Sequence, residues 1–508
     1  MLSRTAMPTL TTPRRGMAIA LCAVLLANRV NAQVEPERPP VITRHTISIN
    51  GHSLAYTAEV GRVAIRDVET GEPHAYMFYT AYRVAAPGKP RPVSFIWNGG
   101  PGWPSLPLHF EVAGPLRGVG DKLVENPDTW LTESDLVFVD PVGTGFSRAT
   151  KPEYVKEFAI LVGDVMAEAE FIRSWLLLHD ADEAPVVIAG ESYGSSRAGR
   201  VGYAVLKKGI NVAGIAMISG STDLPGFENA NVVDWAMHVA DMAVVGLHFK
   251  QTSPEYGTTP DAVRTSAEQW VRERYLPSVL HVESLTEQER NDIAAELGRR
   301  TGLKPELVDR KTMILTSQAW LGAFPVDGKR ALTSDYRRST ALPTPWTRLA
   351  IRYLRRELGY RTDLPYIGVD GGETLEQGFA PSGTYPQPMN ARWVHSSIYD
   401  ATPEQFAKAR EDFAKAGMLG IPKVGTLPST AEAIVLNPKL KVLVAQGAYD
   451  PLGGCSINSE RARRLQSPYR EAVQFKCYDG AHMMYRDMPA RTLFSNDMKA
   501  LMRAVVSP

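Results

Sequence analysis

Hydrophobic and polar residues alternate through residues 43–86 and then give way to short, continuous apolar runs. Turn sequences at Asn50-Gly51 and at Gly71 interrupt the alternating part, which is typical of antiparallel β-strands with one covered face. The later runs are apolar throughout, as in strands that are covered on both faces. These runs lie at residues 93–97, 136–139, 186–189, 214–218 and 442–444. The chain is therefore predicted to begin with antiparallel strands and to continue with buried strands of a mostly parallel sheet.

Helical spacing of apolar residues separates some of the buried runs. One apolar stripe extends from Leu161 to Leu176 and another from Ala198 to Val205, so strands and helices alternate as in an α/β fold. Between residues 224 and 430 the alternation stops. We expect this segment to be a mostly helical cap inserted between two parts of one core, residues 33–223 and 431–508. Helices are predicted at residues 268–280, 287–300, 346–358 and 491–505.

The first 32 residues have the features of an export signal. Arg4, Arg14 and Arg15 precede an apolar stretch at residues 16–27, and Ala32 provides a small residue before a cleavage site. The alternative is a short membrane anchor, and Arg14-Arg15 leaves both the general and the twin-arginine export routes open. No later segment is apolar enough to span a membrane. Because the chain also has no Asn-x-Ser/Thr sequon, we expect a bacterial protein that is periplasmic or secreted.

Composition excludes several classes of protein. Of the 508 residues, 44% are hydrophobic and 22% charged, which is unlike a disordered chain or a disulfide scaffold. Lys and Arg total 56 against 55 Asp and Glu, so no basic excess indicates a nucleic-acid partner. The glycines at 143–145 lack a third glycine where Arg148 stands, and no histidine has partners at metal-ligand spacing. We therefore expect neither a cofactor nor a metal, while the oligomeric state cannot be derived from the sequence.

Residues 190–194, Gly-Glu-Ser-Tyr-Gly, carry the strongest chemical signal. They directly follow a buried strand and precede a helical stretch. A G-x-S-x-G sequence in that position is typical of the strained turn that exposes a nucleophilic serine in an α/β-hydrolase fold. The alternative is an ordinary serine in a glycine-rich turn. Ser192 is the predicted nucleophile, and the backbone N–H of Tyr193 is the expected oxyanion donor.

A serine nucleophile needs a histidine base, and the base needs an orienting carboxylate. In this fold the acid and then the histidine follow late strands of the sheet. Asp450 follows the run at 441–445, and His482 follows a predicted strand at 473–478. Asp479 and Glu460 are rival acids, but Asp479 is too close to His482 in sequence to come from a separate strand end.

Four motifs in order resemble the serine carboxypeptidase family, peptidase family S10. They are Trp-Asn-Gly-Gly-Pro-Gly at 97–102, Val-Phe-Val-Asp-Pro-Val-Gly-Thr-Gly-Phe-Ser at 137–147, Gly-Glu-Ser-Tyr at 190–193 and Gly-Ala-His-Met at 480–483. The resemblance implies hydrolysis of C-terminal peptide bonds. It also implies that Gly100 joins Tyr193 in the oxyanion hole, and that Asn98, Glu111 and Glu191 bind the substrate's terminal carboxylate. Glu111 lies one residue short of the usual family spacing. If both glutamates face a third carboxyl group, we expect at least one to be protonated when substrate binds.

The chain also departs from the family. Trp103 stands where the family usually has a cysteine, so that family disulfide is absent here. Cys455 and Cys477 each lie five residues from a predicted triad member, on segments expected to run side by side; they either pair or remain two buried thiols. An esterase or acyltransferase with the same triad is the alternative function, and a binding protein with an inactive site is the third.

Overall fold

A computed structural model of the chain describes residues 38–85, 91–226, 229–315, 321–322, 325–368, 393–394, 396, 402–415 and 427–506, with side chains to 412 in the last helix before 427. Everything below refers to these residues. The predicted export signal at 1–32 lies outside them.

The described residues contain a ten-stranded sheet and one separate hairpin. The strands are β1 Val41–Ile49, β2 His52–Arg66, β3 Pro73–Arg83, β4 Val93–Trp97, β5 Leu116–Val119, β6 Lys122–Glu125, β7 Asp135–Val139, β8 Arg148–Ala149, β9 Val186–Glu191, β10 Val212–Ile218, β11 Lys441–Gly447 and β12 Val473–Tyr478.

The main sheet has the order β1-β2-β3-β7-β4-β9-β10-β11-β12, with β8 added beside β3. Strands β1, β2 and β3 pair antiparallel, and β3 also pairs antiparallel with β7. From β7 to β12 every neighbouring pair is parallel. Strands β5 and β6 form the separate hairpin. The antiparallel start and the mostly parallel sheet are thus confirmed, and the architecture is an α/β fold of the hydrolase type.

The described α-helices are α1 Leu106–Leu108, α2 Val155–Phe158, α3 Leu161–Leu178, α4 Tyr193–Leu206, α5 Ala230–His248, α6 Pro260–Trp270, α7 Leu276–Leu280, α8 Glu287–Thr301, α9 Thr347–Arg356, α10 Pro403–Lys415, α11 Thr430–Leu436, α12 Cys455–Arg464, α13 Tyr469–Ala472 and α14 Ala490–Ala504. Single turns of π-helix at His109–Ala113 and Val271–Tyr275 extend α1 and join α6 to α7.

The two faces of the sheet bury different sets of side chains because neighbouring residues of a strand point to opposite faces. In β4, Ile96 belongs to one hydrophobic cluster, and Phe95 and Trp97 belong to the other. The second cluster is closed by α3 and α4, whose residues Trp175 and Val201 are fully buried. A third cluster lies among α5, α6 and α8. The sheet is therefore covered on both faces, as its apolar strands predicted.

The named secondary-structure elements between β10 and β11 are all helical, but two predictions were incomplete. The helix expected at 268–280 begins at Pro260, where Thr259 caps it by accepting a hydrogen bond from Ala262 N. Helix α5 was not predicted at all. The domain boundaries at 224 and 430 stay a prediction. A search of the described helices found none with the length and apolar character needed to span a bilayer.

Candidate active site

Ser192 occupies a strained turn between β9 and α4. Its φ and ψ angles are 60° and −126°, in a region that residues with a side chain rarely adopt. Glycines on both sides make the turn possible: a Cβ on Gly190 would lie 1.9 Å from the Gly194 carbonyl oxygen, and one on Gly194 would lie 2.8 Å from that of Asn98. The Ser192 amide donates a 2.8 Å hydrogen bond to Ile218 O at the end of β10. The turn is therefore fixed from both sides, as a nucleophile elbow requires.

The glycine-rich loop after β4 packs directly against this turn. A Cβ on Gly99 would lie 2.6 Å from the Tyr193 amide nitrogen, so only glycine fits there, and Gly100 has a φ of +106°. Asp140, from the second predicted motif, anchors the other end of the loop by accepting hydrogen bonds from the Ser105 amide (2.9 Å) and hydroxyl (2.8 Å). The loop thus brings Gly100 beside the Ser192 turn, where the sequence expected the second oxyanion donor.

Asp450 and His482 form a hydrogen-bonded pair at the ends of β11 and β12. His482 Nδ1 lies 2.9 Å from Asp450 Oδ2, and both side chains are buried. Two further donors hold the carboxylate: Gln446 Nε2 at 2.7 Å and the Leu452 amide at 2.9 Å. Burial disfavours the charged imidazole, but the adjacent carboxylate outweighs it, and the pKa of His482 is raised. Because Nδ1 faces Asp450, Nε2 is the nitrogen left for a nucleophile.

The rival acids are otherwise engaged. Glu460 accepts hydrogen bonds from Arg272, Arg463 and Arg464, and it is Asp450, not Asp479, that binds His482.

Cys455 and Cys477 form a disulfide with a Cα–Cα distance of 5.5 Å. It joins the first turn of α12, just beyond Asp450, to the strand that precedes His482.

Ser192 and His482 line one cavity of about 860 Å³. No hydrogen bond joins these two described residues, a common situation in a hydrolase without substrate. Apolar side chains such as Trp103, Trp346 and Met483 contribute to the walls. Trp103, which stands where the family usually has cysteine, therefore lines the same cavity as the predicted nucleophile.

Asn98 and Glu191 both line this cavity and contact each other. Glu191 Oε2 accepts hydrogen bonds from Asn98 Nδ2 and from the Tyr485 hydroxyl, the latter at 2.7 Å. Its other oxygen, Oε1, is buried and has no hydrogen-bond partner among the described residues. Burial raises the pKa of Glu191 to about 7. A carboxyl group that is protonated near neutral pH can donate a hydrogen bond to an anion.

Glu111 is held differently, by an arginine that the sequence analysis did not consider. Arg486 Nε and Nη2 donate to both carboxylate oxygens of Glu111, at 2.7 and 2.9 Å. Burial raises the pKa of Glu111 and the guanidinium opposes that rise. One of the two glutamates is therefore paired with a permanent positive charge, while the protonation of a glutamate when substrate binds stays a prediction.

A buried network links the Ser192 turn to the loop after β4. The Tyr193 hydroxyl donates to Asp164 Oδ2 at 3.0 Å, and Arg197 Nε donates to the same oxygen at 2.7 Å. Arg197 Nη1 also donates to the Asn98 carbonyl at 3.1 Å. Helices α3 and α4 therefore clamp both backbone segments that carry the predicted oxyanion donors.

Four polar residues at the site were missed by sequence reasoning: Gln446, Tyr485, Arg486 and Arg197. Tyr485 and Arg486 follow the fourth motif after one intervening residue, so their position was the one available signal. No cluster of three or more His, Cys, Asp or Glu side chains suited to a metal ion occurs in the described parts of the chain.

Comparison with known sequences gives matches to part of the chain. Residues 65–246 match the family model described as serine carboxypeptidase. Serine carboxypeptidase-like 50 of Arabidopsis thaliana is 32% identical over 163 residues, which are 30% of this chain and 36% of the relative. The pheromone-processing carboxypeptidase KEX1 of Podospora anserina is 37% identical over 119 residues, 22% of this chain and 20% of the relative. The alignments thus span about a third of these relatives' length or less.

Among solved structures, the prohormone-processing carboxypeptidase KEX1(delta)p of Saccharomyces cerevisiae matches 88% of this chain and 91% of its own, with 14% identity and a TM-score of 0.43. The segment matched by the family model contains Asn98, Glu111 and the Ser192 turn, whereas Asp450 and His482 lie outside it. The family model and the sequence relatives therefore show that residues 65–246 are similar to serine carboxypeptidases.

Proposed function

We propose that this protein is a serine carboxypeptidase that hydrolyses C-terminal peptide bonds through an acyl-enzyme on Ser192. The observation that carries the proposal is one cavity that combines the Ser192 turn and the His482–Asp450 pair with Asn98 and Glu191. Ser192, His482 and Asp450 suit acyl transfer. Asn98 and Glu191 suit recognition of an anion, which an endopeptidase or a simple esterase does not need.

In the proposed reaction, the Ser192 hydroxyl attacks the carbonyl carbon of the last peptide bond and its proton passes to His482 Nε2. Asp450 keeps the imidazole oriented and stabilises its charged form. The negative oxygen of the tetrahedral intermediate is bound by the backbone N–H groups of Gly100 and Tyr193. His482 then protonates the leaving amine, and a water molecule, deprotonated by the same imidazole, releases the acyl group from Ser192.

The proposed position of the terminal carboxylate follows from the unpartnered Glu191 Oε1. When Glu191 is protonated, its two donors still bind Oε2, and the acid proton can be carried by Oε1. The scissile carbonyl then lies between this group and Ser192, which follows it directly in sequence. In this arrangement the carboxylate belongs to the residue directly after the scissile bond, so the expected activity is that of an exopeptidase.

Export and the domain division belong to the same proposal. The disulfide between Cys455 and Cys477 supports an oxidising compartment, because such bonds are rare in the cytosol. Cleavage after Ala32, a bacterial periplasmic or secreted location and a cap between residues 224 and 430 remain our predictions. Peptides are the proposed substrates.

The test uses three substrates with the same acyl part: a blocked dipeptide with a free C-terminus, its C-terminal amide and the corresponding ester. A carboxypeptidase cleaves the free-carboxylate peptide far better than the amide. Cleavage of the ester alone would instead favour the esterase or acyltransferase. Inertness toward all three, together with no labelling of Ser192 by a fluorophosphonate, would refute both.

A further inference from the structure

Arg486 is a cation at the proposed substrate site that the triad does not use. It ends the single 3-10 turn Met484–Arg486, only four residues after His482, so the backbone that positions the base also positions the guanidinium. Its side chain is about one quarter exposed and lines the same cavity as Ser192 and Glu191. Glu111, on the π-turn after α1, orients it through two hydrogen bonds.

The bidentate pair leaves one guanidinium nitrogen uncommitted. Nε and Nη2 of Arg486 donate hydrogen bonds to Glu111, and within the described residues Nη1 binds no acceptor. A guanidinium prefers planar anions with two oxygens. An arginine that a buried carboxylate already holds in place loses little further side-chain entropy when it binds a second anion. The charged or titratable groups that interact with it are Glu111, Glu191, His482 and Tyr485. None of these groups is a second permanent cation.

We propose that Arg486 Nη1 binds the carboxylate of the leaving group, so that this site recognises its anionic substrate through a Glu111-oriented arginine together with Asn98 and Glu191. The inference rests on the proposed function for the identity of the anion, a C-terminal carboxylate. Glu111 is then a positioning residue that does not itself contact the substrate. Because guanidinium stays charged throughout the accessible pH range, recognition does not depend on protonating both glutamates.

The main test measures the selectivity ratio, kcat/KM for the free-carboxylate peptide divided by that for its amide. Arg486→Met is expected to lower this ratio by about 10- to 100-fold, mostly through KM for the free carboxylate, since charged hydrogen bonds contribute that range. Arg486→Lys keeps the charge and should retain part of the ratio. Arg491→Met is the matched control: it removes a comparably buried arginine, paired with Asp128 at 3.0 Å, and should keep the ratio.

Arg486→Met leaves Glu111 buried without its partner, and the variant is at risk of not folding. The double variant Glu111→Gln with Arg486→Met removes both charges and avoids this cost. It should fold and still discriminate poorly. An unchanged ratio in the double variant overturns the proposal, as does an equal loss for peptide and amide, which would mean a purely structural ion pair.

A binding measurement separates this inference from the proposed function. In Ser192→Ala, calorimetry compares the dissociation constants of the uncleaved peptide and its amide, with and without Arg486→Met. Tighter binding of the free carboxylate that disappears with Arg486 supports the inference even if wild-type protein cleaves neither substrate. If wild-type protein discriminates and the Arg486 variants discriminate equally well, the carboxypeptidase proposal stands and the role of Arg486 is refuted.

Discussion

Replacing Glu191 by glutamine isolates the electrostatic cost of a carboxyl group buried beside the proposed nucleophile. Burial raises its pKa from 4.5 to about 7, so the folded protein holds a proton that the unfolded chain releases. The stability associated with this proton is complete below about pH 4.5 and is lost as the pH rises through 7. At about 1.4 kcal/mol per pKa unit, the ionised group lowers the wild-type free energy of unfolding by about 3 kcal/mol.

Glutamine fits the contacts that the structure shows. Its amide oxygen can accept the hydrogen bonds that Asn98 and Tyr485 donate to Oε2, and its NH2 group takes the place of the unpartnered Oε1. We therefore expect Glu191→Gln to be more stable than wild type by up to about 3 kcal/mol near pH 8, and to match it near pH 4. In the wild type we expect KM for free-carboxylate peptides to rise as Glu191 ionises. The same NH2 group replaces the acid proton, so this rise should be smaller in Glu191→Gln.

The assay is denaturant unfolding of both proteins at about pH 4, 6 and 8, with KM measured at the two higher values. Glu168→Gln is the matched control, because burial also raises the pKa of Glu168, to about 8, but its side chain does not line the cavity. It should gain stability at alkaline pH and leave the pH dependence of KM unchanged. A stability difference for Glu191→Gln that is the same at all three pH values would refute the reasoning.

Three other predictions concern the same region. Ser192→Ala should lower kcat by about 10⁶-fold with an unchanged melting temperature, and activity within about tenfold of wild type would exclude it as nucleophile. Replacing Cys455 and Cys477 by alanine removes the cross-link that closes a loop of 22 residues in the unfolded chain. The free energy of unfolding should fall by about 3 kcal/mol; an unchanged denaturation midpoint would contradict this. Asp164→Asn with Arg197→Met should lower kcat by about 10- to 100-fold with little change in KM, since the clamp on the Asn98 carbonyl is lost; unchanged kcat would assign the network to stability alone.

The sequence predicted those parts of the molecule that depend on local patterning. Apolar runs predicted the central strands. Ser192, Asp450 and His482 were predicted to lie together because each follows the carboxyl end of a predicted strand. Helix α5 escaped notice because twelve of its nineteen residues are buried, which leaves too little contrast between its faces for an amphipathic stripe. The helix at 260–280 was shortened because its first turns are polar and exposed.

Pairings between distant segments could not be predicted in the same way. Glu111 and Arg486 are 375 residues apart, and Glu191 and Tyr485 are 294 apart. Nothing in either local sequence indicates the partner, so the two glutamates looked equivalent. The structure separates them, because one is neutralised by a guanidinium and the other is shielded from water with a single unpartnered oxygen.

Asn98 connects the two halves of the proposed site. Its side chain donates to Glu191 and accepts from the Leu108 amide at 3.1 Å, while its backbone carbonyl accepts from Arg197. Gly99 and Gly100 follow it directly, just as Ser192 follows Glu191. The group proposed to bind a terminal carboxylate and the group proposed to bind the reacting carbonyl are therefore close in sequence on each of two backbone segments. Their separation is set by covalent geometry and not by side-chain reach. Such a site selects substrates with one residue between the scissile bond and the terminal carboxylate. We therefore expect strict exopeptidase activity even if the walls of the cavity accept many side chains.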